Sequence, residues 1–148
     1  MNAKAVFQKL RQRNLPSKTI SAMFPNQQTV VIVDDDREVG VALKRGLAAQ
    51  GYNTEVYGSS AECLNAVVTK VATCFVIDIH LDNESGIDLS AQLSSMGIRS
   101  PVIHMSGSAV ETDRQEALAS GCFAFLDKPF AIQDLVRVIH KATGRAST

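Results

Sequence analysis

Short apolar runs alternate with segments of helical periodicity along most of the chain. Strands are predicted over residues 30–34, 53–57, 74–78, 101–105 and 124–126. After each run, apolar residues recur at the three- and four-residue spacing of an amphipathic helix. This spacing predicts helices over residues 37–50, 60–71, 87–96, 110–120 and 132–141. Five strand–helix units with right-handed crossovers predict an α/β fold, a doubly wound parallel sheet with five helices.

Individual residues mark where these elements end. Asp36 and Ser60 precede apolar helical positions and predict helix starts. Gly51 and Gly121 follow predicted helices, where a left-handed residue commonly ends the last turn. The first, third and fourth strand runs are almost wholly apolar, which indicates central strands covered on both faces.

The first 28 residues differ in composition from the rest. Residues 3–13 predict a short basic amphipathic helix, and residues 16–28 contain two prolines and predict a linker. We therefore divide the chain into an extension over residues 1–28 and one domain over residues 29–148. The extension holds five basic residues and no acid, whereas the domain holds ten basic residues against fifteen acids. A basic arm can bind nucleic acid, anionic lipid or an acidic partner, or simply be solvated.

Composition excludes several classes of protein. A chain of 148 residues that is 45% hydrophobic can bury the core of one ordinary domain. The three scattered cysteines, Cys63, Cys74 and Cys122, indicate core residues in a reducing compartment rather than a disulfide or metal set. No apolar stretch reaches the roughly 18 residues of a membrane span, and no signal peptide is evident. We expect a soluble cytoplasmic protein.

Four charged side chains close three of the predicted strands. Asp34 and Asp35 follow the first strand, Asp78 ends the third, and Lys128 follows the fifth. Because the carboxyl ends of parallel strands share an edge, these groups are expected in one crevice. Three carboxylates and one ammonium repel one another on balance, and a divalent cation would bring the site near neutrality. The pattern predicts a Mg²⁺ site that handles a phosphoryl group.

Residues 29–148 resemble the receiver domain of two-component response regulators in the motifs they contain and in the order of those motifs. The resemblance rests on Val33-Asp34-Asp35, on Ile77-Asp78 with Gly86 eight residues later, on residues 101–107, on Phe125 and on Lys128-Pro129-Phe130. It implies a flavodoxin-like fold with the strand order 2-1-3-4-5. It also implies a cis Lys128-Pro129 bond.

The resemblance implies a role for each site residue. Asp78 would be the phosphoacceptor and would take a phosphoryl group from a sensor histidine kinase or a histidine phosphotransfer protein. Lys128 would contact the phosphoryl oxygens. Mg²⁺ would be bound by Asp34, Asp35, Asp78 and the backbone carbonyl of His80. Asp36 would cap a helix, although a pairing of Asp35 with Asp36 at the metal is an alternative.

Two further residues occupy the family's switch positions. Ser106 would bond a new phosphoryl oxygen, and the Phe125 ring would then move inward. The bland alternative is that Phe125 is a permanent core residue. The segment from His80 to Gly86 lacks the proline that many receivers have there and carries two more acids.

The expected function is that of a phosphorylation-switched receiver in a phosphorelay, which supports its own phosphotransfer and autodephosphorylation and is otherwise no enzyme. The surface of the fourth helix, fifth strand and fifth helix would bind a downstream protein or a second copy, with no direct nucleic acid binding by the domain. The alternatives are a phosphorylation-independent pseudo-receiver scaffold and the receiver part of a truncated transcriptional regulator. A phosphatase of related fold would need a second acid where His80 stands.

Overall fold

The computed structural model describes residues 9, 12–14, 28–108 and 110–144. The predicted helix over residues 3–13 and the linker over residues 16–28 lie almost entirely outside the described residues. Both therefore stay predictions, as does the boundary between extension and domain. Within the described residues, no helix is long and apolar enough to cross a membrane.

Five strands form one parallel sheet, and two short strands form a separate antiparallel hairpin. In chain order the strands are β1 (Thr29–Val33), β2 (Asn53–Tyr57), β3 (Cys74–Asp78), β4 (His80–Leu81), β5 (Glu84–Ser85), β6 (Val102–Ser106) and β7 (Ala124–Asp127). The sheet order is β2-β1-β3-β6-β7. Without the hairpin strands this is the predicted order 2-1-3-4-5, which confirms the flavodoxin-like fold.

Five helices connect and follow the strands between residues 28 and 144. They are α1 (Arg37–Ala49), α2 (Ser60–Val67), α3 (Gly86–Ser95), α4 (Glu111–Ala119) and α5 (Ile132–Thr143). Helix α2 is shorter than predicted, because Val68 and Val71 beyond its end are 73% and 53% exposed and do not face the core. Its N-cap is Ser59, one residue before the predicted start, and the Ser59 hydroxyl accepts a hydrogen bond from the N–H of Glu62.

The sheet is covered on both faces by apolar layers. Alternating residues of β1 enter opposite layers, so Val30 and Ile32 pack with α1 and α5, whereas Val31 and Val33 pack with α2 and α3. All five residues of β3 are buried, as expected of a central strand. Because the strands are buried, the polar residues that follow them lie at the carboxyl edge of the sheet.

The hairpin of β4 and β5 was not predicted. It lies directly after β3, pairing His80 with Ser85 and Leu81 with Glu84. Asp82 in its turn has a φ of 48°, a left-handed conformation that aspartate tolerates better than most residues. The segment from His80 to Ser85 thus forms a hairpin, and this hairpin borders the site described next.

Candidate functional site

The carboxyl ends of β1, β3 and β7 bring three charged side chains into contact. The Nζ of Lys128 lies 2.7 Å from Asp34 Oδ2 and 2.6 Å from Asp78 Oδ2. Asp35 joins them, since one carboxylate oxygen from each of the three aspartates lies within 4.8 Å of the others. The predicted convergence of three carboxylates and one ammonium is therefore what the sheet produces.

Asp34 is the buried member of the cluster, with 2% of its surface exposed. Its Oδ1 accepts a hydrogen bond from the N–H of Asp36 at 2.8 Å, and its Oδ2 accepts from Lys128. Burial raises the pKa of Asp34, and the hydrogen bonds from Lys128 and Asp36 offset only part of that rise. Both oxygens of this carboxylate are thus engaged by groups of the protein.

Lys128 is shared between two carboxylates. Burial alone would lower the pKa of its ammonium, but the hydrogen bonds to Asp34 and Asp78 outweigh burial and raise that pKa above its ordinary value. The lysine therefore stays charged at the site. The Lys128-Pro129 bond that follows is cis, as the resemblance implied.

Asp35 is the exposed member, and it contacts the hairpin. Its Oδ2 accepts a hydrogen bond from the N–H of Asp82 at 3.1 Å. Although burial acts to raise the pKa of Asp35, the hydrogen bonds with Asp82 outweigh it and lower that pKa. A side-chain hydrogen bond with Asp35 and the charge of Asp35 raise the pKa of the Asp82 carboxyl. Asp36 does not join the cluster, because its side chain caps α1 by accepting from the N–H groups of Glu38 and Val39.

Asp78 is oriented by the residues that follow it. Its Oδ1 accepts a hydrogen bond from the N–H of His80 at 2.8 Å, while its Oδ2 accepts from Lys128. The backbone carbonyl of Asp78 lies against Gly86, where an added Cβ would stand only 1.9 Å from that oxygen. The glycine eight residues after Asp78 is therefore required by close packing rather than by an unusual φ.

The two predicted switch residues contact Ser108 and Arg114, and neither is among the hydrogen-bond partners of the Asp78 carboxylate. The Ser106 hydroxyl donates to the carbonyl of Ser108 at 3.1 Å and accepts from the N–H of Ser108 at 3.2 Å. Phe125 is half-buried, with the Arg114 guanidinium carbon 4.9 Å from its ring centroid. The ring is therefore not a fully buried core residue in this conformation.

The donor set fits a hard divalent cation. Three carboxylates that converge within 4.8 Å supply the oxygen ligands that Mg²⁺ prefers. One of them, Asp35, is exposed and open to an ion arriving from solvent. A single ammonium leaves the cluster with net negative charge, which a bound cation would reduce.

A match to a family model identifies the type of domain. The model described as the response regulator receiver domain matches residues 30–140. The chain belongs to this family. The convergence of Asp34, Asp35, Asp78 and Lys128 at one sheet edge is therefore a feature of a receiver domain.

Individual relatives of this receiver domain agree with that assignment. The transcriptional regulatory protein TdiR of Thauera aromatica is 31% identical over 117 residues, which cover 79% of this chain and 52% of that protein. A response regulator receiver protein from Burkholderia phymatum is 31% identical with a TM-score of 0.74, covering 81% of this chain and 98% of that one. The Francisella response regulator 1452 receiver domain is 28% identical with a TM-score of 0.73, covering 81% and 99%. The chain spans about half the length of the curated relatives it matches.

Sequence reasoning missed the receiver's polar contacts between the site and α4. Asp113 Oδ2 lies 2.9 Å from His80 Nε2, and the adjacent Arg114 forms an ion pair with Asp127, the residue before Lys128. No motif or spacing marks these residues, since their partners lie far away along the chain. Only the packing of α4 beside β6 and β7 brings them together.

Proposed function

We propose that this receiver accepts a phosphoryl group on Asp78 from a phosphohistidine of a sensor kinase or a phosphotransfer protein, in a reaction that depends on Mg²⁺. The observation that carries the proposal is the ammonium of Lys128, 2.6 Å from Asp78 Oδ2. An ammonium held there can also attract the oxygens of an incoming phosphoryl group. Membership of the receiver family supports the same assignment.

The proposed transfer is a displacement at phosphorus. A carboxylate oxygen of Asp78 attacks the phosphorus, the P–N bond of the donor breaks, and its electron pair returns to the imidazole nitrogen of the donor histidine. Lys128 then exchanges its contact with the carboxylate for contacts with the transferred oxygens. Attack by water on the acyl phosphate would later release inorganic phosphate and restore the carboxylate.

Asp34, Asp35 and Asp78, with the backbone carbonyl of His80, are the residues we propose to hold the metal. When bound, Mg²⁺ polarises the phosphoryl oxygens and offsets the charge that develops on them. Asp34 already accepts bonds from Asp36 and Lys128 through its two oxygens. Asp78 is engaged at both oxygens in the same way, by His80 and Lys128, so the exposed Asp35 is the most available ligand.

We propose that Ser106 and Phe125 carry the conformational response to phosphorylation of Asp78. A phosphoryl oxygen is a charged acceptor and forms a stronger hydrogen bond with the Ser106 hydroxyl than the carbonyl of Ser108 does. A shift of Ser106 would move the loop before α4 and open space for the Phe125 ring. The surface that changes includes Leu118 on α4 and Phe123 before β7, which are 52% and 48% exposed and suited to contact a downstream protein or a second copy.

The test is phosphorylation by acetyl phosphate, read by intact mass with and without Mg²⁺. The wild type should gain one phosphoryl mass only when Mg²⁺ is present, and Asp78→Asn should gain none. Asp36→Asn is the matched control, because asparagine caps a helix about as well as aspartate and the substitution removes an equal charge close by. It should gain the phosphoryl mass as the wild type does.

Two outcomes would reject the proposal. A wild type that gains no mass at any Mg²⁺ concentration would favour the pseudo-receiver, whose partners bind without phosphorylation. Equal gain in wild type and Asp78→Asn would place the acceptor elsewhere. Asp35→Asn compared with Asp36→Asn decides which aspartates bind the metal, since only the former should weaken Mg²⁺ binding.

A further inference from the structure

The β4–β5 hairpin contacts two of the three clustered carboxylates through backbone N–H groups. The N–H of His80 donates to Asp78 Oδ1 at 2.8 Å, and the N–H of Asp82 donates to Asp35 Oδ2 at 3.1 Å. These carboxylates belong to different segments of the chain, one after β1 and one at the end of β3. The hairpin therefore determines where one lies relative to the other.

The hairpin is itself held at three places. Leu81 is 1% exposed and packs in the apolar layer that includes residues of α2 and α3. The carboxylate of Glu84 accepts a hydrogen bond from the N–H of Ser60 at the start of α2, at 3.2 Å. The His80 imidazole contacts Asp113 on α4, and because a carboxylate only accepts, the ring N–H is the donor.

The contact with α4 differs from the other two because that helix is weakly anchored. Among the described residues of α4, only Ala117 is buried, and its N-cap residue Val110 forms no capping hydrogen bond through its side chain. Polar contacts from Asp113 and Arg114 therefore provide much of the attachment of its first two turns. A displacement of α4 would therefore be transmitted to His80 through Asp113, and a displacement of the hairpin would be transmitted to α4.

We propose that the β4–β5 hairpin positions Asp35 and Asp78 for metal binding, and that Asp113 acts through His80 as the positioning residue that ties this hairpin to α4. The inference rests on the proposed function, since the metal is the Mg²⁺ required for phosphoryl transfer. Mg²⁺ demands near-ideal octahedral geometry with ligands at about 2.0–2.1 Å. Loss of the tie would let the two carboxylates shift relative to each other and weaken metal binding.

The first measurement is Mg²⁺ affinity of the unphosphorylated chain by isothermal titration calorimetry. Asp113→Ala removes the acceptor and should weaken binding about threefold, the range of one net hydrogen bond. Asp113→Asn keeps an oxygen that can accept the same bond and should recover most of that loss. Glu116→Ala removes an exposed acid from the same helix and should leave the affinity close to that of the wild type.

The second measurement is hydrogen exchange at the backbone N–H groups of His80 and Asp82. Both should exchange about threefold faster in Asp113→Ala than in the wild type, while Glu116→Ala leaves them unchanged. In a His80→Ala background, Asp113→Ala should have no further effect on either readout, because the bond is already absent.

Three results would overturn the inference. Unchanged affinity and exchange in Asp113→Ala would mean that α4 does not hold the hairpin. Asp113→Asn as weak as Asp113→Ala, or additive effects of the His80 and Asp113 substitutions, would mean that charge and not the bond is responsible. Because neither readout uses a phosphoryl donor, a chain that fails the acetyl phosphate test can still pass this one, and the reverse.

Discussion

The Nζ of Lys128 lies 2.6 Å from Asp78 Oδ2, although the two residues are separated by 50 positions in the chain. The same ammonium lies 2.7 Å from Asp34 Oδ2, so one cation serves two carboxylates. Asp34 is buried, and a buried carboxylate that loses its partner is costly. Lys128 therefore contributes to stability as well as to the proposed chemistry.

Replacement of this lysine should expose that double role. We expect Lys128→Met to lower the free energy of unfolding by about 3 kcal/mol in Mg²⁺-free buffer, because Asp34 and Asp78 are left beside each other without a cation. Added Mg²⁺ should stabilise the variant more than the wild type, since the ion supplies the missing positive charge. Urea denaturation with and without Mg²⁺ measures both effects. An equal response to Mg²⁺ in the two proteins would contradict this account.

Gly86 should tolerate no side chain. In Gly86→Ala the new Cβ would stand 1.9 Å from the carbonyl oxygen of Asp78, which is backbone and cannot rotate away. We expect a loss of about 3 kcal/mol in the free energy of unfolding and weaker Mg²⁺ binding as β3 and α3 move apart. Gly58→Ala is the control, because its nearest contact would be a side-chain oxygen at 3.7 Å. Similar losses in both variants would argue against the clash.

His104 should make the domain less stable in acid. Its ring is buried, Nδ1 lies 3.1 Å from the carbonyl oxygen of Ile77, and Nε2 has no hydrogen-bond partner among the described residues. Burial lowers the pKa of His104 below the ordinary value of 6.5. In the unfolded chain the imidazole takes up a proton near that ordinary value, whereas the folded protein does so only at lower pH. The unfolded state therefore binds more protons, and the free energy of unfolding falls as the pH drops below about 6.5.

The His104 contribution can be isolated by urea denaturation at about pH 7.5 and about pH 5.5. His104→Leu should lose less stability than the wild type between these conditions, because leucine takes up no proton in the unfolded chain. Met105→Leu, which alters a buried residue of the same strand that cannot titrate, should keep the dependence of the wild type. A His104→Leu curve parallel to that of the wild type would assign the acid sensitivity to other groups.

The cysteines should differ in reactivity. Burial raises the pKa of the Cys63 thiol to about 11 and that of Cys74 to about 12. Cys122 is only half-buried, and burial raises its pKa as well. Since the thiolate is the reactive form, maleimide should modify Cys122 first in the native protein and all three cysteines after denaturation. Peptide mapping would identify the order, and early labelling of Cys74 would show that β3 opens readily.

The sequence by itself determined the fold of this domain and the charged residues that meet at one edge of its sheet. Apolar runs and helical periodicity are local patterns, and they predicted five sheet strands and five helices with boundaries mostly within one or two residues. Strand order followed from the family resemblance. Asp34, Asp35, Asp78 and Lys128 follow or end strands, so the geometry of a parallel sheet was enough to predict that they converge.

Only the tertiary structure decided how that site is held. The contacts of His80 with Asp113 and of Asp82 with Asp35 join residues 33 and 47 positions apart in the chain. The contact of Arg114 with Phe125 joins α4 to β7. Asp82, Asp113 and Arg114 belong to no motif in the sequence, and their pairing depends on where α4 and the hairpin lie. The hairpin itself spans only two residues on each side, too few for period-two alternation to be recognised. Hydrogen bonds across such distances are a consequence of packing and leave no local pattern that could predict them.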